Sequence, residues 1–265
     1  IFGNMGVACA VLITGFFIDH ESWRSAFLWP GIVSIITGMT YAGVLYASRS
    51  TILQNTSRHI AKKKFEETKA MDRRLLGRVF GVIFLSTALG GLIFQSTTFA
   101  LPKVFDERLA ELAMSATLVG WYAFVVFAIA AFGQLVVGYL VDHYSIRSVF
   151  AAVIGLQALF FALMPGLTGW NALGVSMAFM LVVFGQIPIN DVLISRITRS
   201  EWRSRVYAFR YIITFSVMAS SVPIIAWLHH SWGFDTLFTV LSATAICILG
   251  AVLMLPKVLS VKRSS

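Results

Sequence analysis

Charge is scarce in this chain. Asp, Glu, Lys and Arg together make up only 12% of the 265 residues, about half the share found in a water-soluble domain. Hydrophobic residues reach 58% and the mean hydropathy is +0.81, so a soluble globule is excluded. Cysteine is scarcer still. Cys9 and Cys247 both lie in apolar stretches without metal-ligand spacing, which leaves neither a disulfide framework nor a zinc site. The five histidines, His20, His59, His143, His229 and His230, fall at loops and span ends. They assemble no metal cluster and no base for a nucleophile, which argues against a membrane enzyme. No glycine-rich loop leads into Lys-Ser or Lys-Thr, which argues against an ATP-driven machine. No metal and no cofactor are expected.

What the chain has in abundance is uninterrupted apolar sequence. Residues 25–48, 79–102, 112–146 (apart from Asp142), 148–190 and 211–234 contain no Asp, Glu, Lys or Arg. A span needs about 20 such residues to cross the hydrocarbon core. Divided at their turn residues, the runs predict eight spans: 1–18, 26–46, 79–101, 118–141, 149–164, 172–193, 206–228 and 236–255. The sharpest break is the turn-rich cluster Pro165-Gly166-Leu167-Thr168-Gly169. Trp23, Tyr46, Trp121, Trp170 and Trp232 stand near span ends, as an interfacial aromatic belt requires. The fold class is an all-α membrane protein, a polytopic helical bundle.

The few charges are distributed unevenly. With the first span running outward, all but Arg24, Lys103 and Arg108 of the 21 cations fall on the inner side. This bias places both ends of the chain in the cytoplasm of a plasma membrane, most simply a bacterial inner membrane. It also accounts for the net charge of +9 without nucleic acid, since the cations sit in separate segments at span ends. The polar stretch at 47–77, with Lys62-Lys63-Lys64 and Glu66-Glu67, reads as a cytoplasmic linker between two bundles. Ser22-Trp23 before the second span is echoed by Ser231-Trp232 before the eighth, a weak internal repeat. The expected division is 1–46 as the last two helices of a first half, 47–77 as the linker, 78–256 as a six-helix second half, and 257–265 as a tail.

Three motifs resemble the major facilitator superfamily of secondary transporters. Gly138-Tyr139-Leu140-Val141-Asp142-His143-Tyr144-Ser145-Ile146-Arg147 is similar to the cytoplasmic signature between helices eight and nine. Ser145 and Ile146 stand where that signature has a glycine and its first basic residue. Trp23-Arg24-Ser25-Ala26-Phe27 is similar to the opening of helix six, and Ser200-Glu201-Trp202-Arg203 to the loop before helix eleven. The resemblance implies that the eight spans match helices five to twelve, making the chain a fragment of a twelve-helix protein. It implies transport of a small-molecule solute, with a proton or ion as a possible coupling partner, by a monomer in the lipid bilayer. It also implies that Gly138, Asp142 and Arg147 form a cytoplasmic gate. The antiporter pattern of helix five has no counterpart, because residues 6–15 contain glycine and alanine but no proline. Packing through small residues explains Gly6, Ala10 and Thr14.

Polar groups inside a span are costly and mark functional positions. Gln186, Asn190 and Asp191 lie on the sixth span around Pro188, a residue able to break the helix at a binding site. Asp191 either pairs with Arg210 on the next span or titrates. Gln95 and Thr98 on the third span and Tyr122 on the fourth complete the expected substrate pathway, while Thr97 and Thr98 can also satisfy themselves on helix carbonyls. The alternatives to a transporter are a non-transporting receptor or partner-binding relative and, less favoured, a membrane enzyme.

Overall fold

The computed structural model describes residues 2–47, 73–197 and 200–255. The tail at 257–265 and most of the linker at 47–77 lie outside the described residues. Seven helices account for nearly everything else: α1 (Phe2–His20), α2 (Ser25–Ala47), α3 (Arg73–Arg108), α4 (Ala116–His143), α5 (Ile146–Leu163), α6 (Gly169–Ile197) and α7 (Ser200–Leu253). All seven are long and apolar enough to cross a membrane. The all-α class is as expected, but among the described residues the number of separate helices is seven and not eight.

The difference lies in α7. At 54 residues it would extend about 80 Å if straight, at 1.5 Å per residue, against a hydrocarbon core of about 30 Å. Gly233 interrupts it with φ 77° and ψ −178°, a backbone region that is essentially restricted to glycine. The seventh and eighth expected spans are therefore two arms joined at one residue. The expected break between α5 and α6 is present, and Gly166 (φ 74°) and Gly169 (φ 58°) supply its left-handed turns. Pro188 does not break α6, which runs helically from Gly169 to Ile197.

Helix starts follow local capping. Ser115 accepts the Leu118 N–H at 3.2 Å to open α4, and Ser145 accepts the Ser148 N–H at 3.2 Å to open α5. Ser145, which replaces the glycine of the loop signature, therefore serves as an N-cap. Helices also run past the expected span ends, because charged residues such as Lys103 and Asp106 continue α3. The five belt aromatics are all exposed.

The core lies among α3 to α7. Phe161, Phe179 and Phe238 join α5, α6 and α7 with ring centroids 5.2 to 6.2 Å apart, and Phe184 stacks on Phe127 at 6.0 Å. Small residues set the closest crossings. A Cβ at Gly185 would stand 2.6 Å from Val137, and one at Gly133 2.8 Å from Leu181, so α4 and α6 meet through glycine. α1 packs on α4 in the same way. Gly15 leaves no room for a Cβ beside the Ala116 carbonyl oxygen, and Gly120 faces Val11. The expected packing role of Gly6 does not hold, since open space surrounds it. α2 packs on α1.

Candidate functional site

Two cavities receive most of the polar residues singled out from the sequence. The smaller, about 200 Å³, lies between α3, α6 and α7. Each helix contributes residues from one face at helical spacing. Thr87, Gly90, Gly91 and Phe94 come from α3, Val183, Gln186, Ile187 and Asn190 from α6, and Arg210, Tyr211, Thr214, Phe215 and Met218 from α7. The separations of three, four and seven residues put each set on a single stripe. Gly90 provides space for a neighbour, because a Cβ there would come within 2.6 Å of Gln186 Nε2.

Five polar atoms on this wall have no hydrogen-bond partner among the described residues. Thr87 Oγ1, Gln186 Nε2, Asn190 Oδ1, Arg210 Nε and Thr214 Oγ1 are all buried and all unpaired. Each such group costs about 1–3 kcal/mol when left unsatisfied. Some other buried hydroxyls in the bundle avoid that cost by bonding back to their own helix. Thr97 donates to the Ile93 carbonyl at 2.8 Å, and Ser221 to that of Met218 at 2.6 Å. Thr87 and Thr214 make no such bond.

Arg210 connects the cavity to its surroundings. Its Nη1 donates to the Asp191 carboxylate, the pairing that the sequence offered. The guanidinium also lies 5.9 Å from the ring centroids of Tyr207 and Tyr211. The Tyr207 hydroxyl donates to the Asp191 carbonyl at 3.1 Å, tying the first turns of α7 to the last turns of α6. Asp191 is outside the cavity wall, with a half-exposed side chain.

The larger cavity, about 650 Å³, lies between α1, α3 and α4 and holds Gln95 and Thr98. Its wall is mostly apolar, with Lys103 and Asp106 towards one end. Thr98 Oγ1 is buried without a partner among the described residues. The expected pathway is thus divided between two spaces, because Gln95 and Gln186 face different neighbours. Tyr122 lines neither cavity and packs edge-on against Trp170, centroids 6.5 Å apart.

The residues of the signature loop gather where α4, α5 and α7 end. The Arg147 guanidinium donates to the Leu253 carbonyl at 2.7 Å, so it caps the last turn of α7. Asp142 is exposed at the end of α4, and open space surrounds Gly138. At the opposite end of the bundle Asp19 accepts N–H groups from Ala116 (3.2 Å) and Thr117 (2.6 Å). A carboxylate on α1 thereby occupies the positive N-terminus of α4.

The family model of the Major Facilitator Superfamily matches residues 83–264, more than half of the chain. The chain belongs to the major facilitator superfamily. No curated relative matches it. The superfamily match starts inside α3 and takes in α4 to α7, so both walls of the Arg210–Asp191 pair and the signature loop lie within it. The protein is a multi-pass membrane transporter of this superfamily, whose members move solutes and are not enzymes.

Thr87, Gly90, Gly91 and Thr214 are among the residues of the smaller cavity that were not anticipated from the sequence. A signal for them existed in the stripe spacing. Thr214 stands four residues after Arg210, and Gly90 and Gly91 follow Thr87 by three and four, which places each pair on one face.

Proposed function

We propose that the protein is a secondary active transporter that moves a small solute by alternating access, binding it in the cavity between α3, α6 and α7. The observation that carries this reading is the convergence of Thr87, Gln186, Asn190, Arg210 and Thr214, each with a buried polar atom that has no partner among the described residues, on one space. Transporters bind solute near mid-depth between helices that shift against one another. A wall of unpaired donors and acceptors can exchange hydrogen bonds with a solute as it arrives and leaves. Gln95 and Thr98 line the larger cavity as a second part of the pathway.

The expected gate forms the inner closure of this mechanism. Arg147 secures the end of α7, and Asp142 lies at the adjoining end of α4. In this reading α1 and α2 belong to one rocking half and α3 to α7 to the other. Support comes from the packing of α1 on α4 and of α2 on α1, which makes the α1–α4 seam the contact between halves. The seam is latched on the outer side by Asp19. The end that carries Arg24, Lys103 and Arg108 faces out, both chain ends face the cytoplasm, and the protein works as a monomer in a plasma membrane of bacterial type.

The test is solute uptake and efflux by the full-length protein in vesicles, with and without a pH gradient. Gln186→Leu and Asn190→Leu are expected to weaken binding of any transported solute several-fold. Unchanged transport and affinity in both variants would remove the cavity from the pathway.

A further inference from the structure

We propose that the cavity between α3, α6 and α7 takes a small organic anion, a monocarboxylate, whose carboxylate binds at Arg210 Nε. The assignment rests on reading this cavity as the solute site.

Charge is the first argument. Among the residues that line the cavity only Arg210 carries a formal charge. Its acidic partner is half exposed and off the wall, whereas the guanidinium side chain is only 11% exposed. The Asp191 carboxylate occupies Nη1, and Nε remains buried without a partner among the described residues. An arginine in this state presents a second N–H edge to an incoming carboxylate. A cationic solute would lose its hydration against a positive wall.

The neutral groups point the same way. Gln186 Nε2 is a donor, and the hydroxyls of Thr87 and Thr214 can donate. Donors thus converge on the space from all three helices. Asn190 Oδ1 is the unpaired acceptor and suits a hydroxyl on the solute. Phe94, Phe215 and Met218 supply an apolar side for its carbon chain. The volume, about 200 Å³, suits a small solute.

The experiment measures binding by calorimetry and counterflow in vesicles, using the full-length protein with lactate, 3-hydroxybutyrate and benzoate. Each acid is compared with its neutral amide, and ethanolamine serves as the cation. At least one carboxylate is expected to bind, with its amide tenfold or more weaker. Arg210→Lys should weaken that carboxylate at least tenfold. Thr214→Val should weaken it several-fold while leaving the ion pair with Asp191 intact, which keeps the test valid if Arg210→Lys fails to fold. Failure of all three carboxylates, or equal binding of acid and amide, overturns the anion assignment. If an amide or ethanolamine then binds and Thr214→Val weakens it, the cavity remains the solute site for another class. If a carboxylate binds but ignores both Thr214→Val and Gln186→Leu, the assignment of the cavity itself is wrong.

Discussion

Arg210 on α7 and Asp191 on α6 form an ion pair in which the cation is buried and the acid is half exposed, at 11% and 50% of their side-chain surface. The asymmetry gives the two residues different weight. Removing Asp191 leaves a desolvated guanidinium without its counter-ion, whereas removing Arg210 leaves a carboxylate that water can reach. A double-mutant cycle with Asp191→Asn and Arg210→Gln, followed by thermal unfolding in detergent, is expected to give a coupling of about 1 kcal/mol. That value lies between those of exposed and buried pairs. Additive effects would show that the pair contributes no coupling.

The α1–α4 seam has a size limit at one atom. Gly15→Ala places a methyl group against the Ala116 carbonyl oxygen, a backbone atom held by its own helix. Overpacking of this kind costs about 1–3 kcal/mol, and a lower unfolding temperature is the expected readout. Gly6→Ala provides the control. With open space around it, the change should be neutral or stabilising through helix propensity, and a comparable loss there would refute the packing argument.

Gly233 is expected to tolerate no side chain. Its φ of 77° with ψ of −178° costs an L-residue on the order of 1–3 kcal/mol, although no atom stands close enough to clash. Gly233→Ala should therefore destabilise through the backbone alone, and a variant as stable as the parent would mean that the two arms of α7 meet in another way.

Arg108 secures the same end of the bundle. It pairs with Asp235 and donates to the carbonyls of Met164 and Leu167 at 2.7 and 3.2 Å, while Asp235 accepts the Gly166 N–H at 3.0 Å. Arg108→Met is expected to cost at least about 2 kcal/mol, since hydrogen bonds to charged groups are worth about 1.5–3 kcal/mol. Hydrogen exchange of the 164–168 turn should rise in step; unchanged protection there would contradict this anchoring role.

The gate reading makes a kinetic prediction. Asp142→Asn is expected to slow turnover more than it weakens solute binding, because Asp142 lines neither cavity. Equal effects on the two would count against a gate.

Much of this arrangement was legible from the sequence wherever a residue type has a single physical use. Long uncharged runs have no soluble fate, so the spans were found. Gly166 and Gly169 together in a turn-rich cluster marked the α5–α6 break. Gln186, Asn190 and Arg210 stood out because amide and guanidinium groups inside a span have a cost. Thr87 and Thr214 did not, since a helix usually accommodates a hydroxyl on its own carbonyls, and only three-dimensional structure shows which threonines decline that bond. The one-residue joint at Gly233 was hidden for a related reason. The break between the seventh and eighth spans was expected, but the positive φ that reduces it to one residue at Gly233 has no separate signature. The division of Gln95 from Gln186 depended on which helices are neighbours, a matter of tertiary contact that periodicity does not encode.

The joint at Gly233 also determines what the aqueous phase can reach. At that end of the bundle α7 turns back without a loop, and the other connections are the short stretches 21–24, 109–115 and 164–168. Among the described residues, a protease or antibody reaching that end of the bundle therefore meets helix ends and those three short connections.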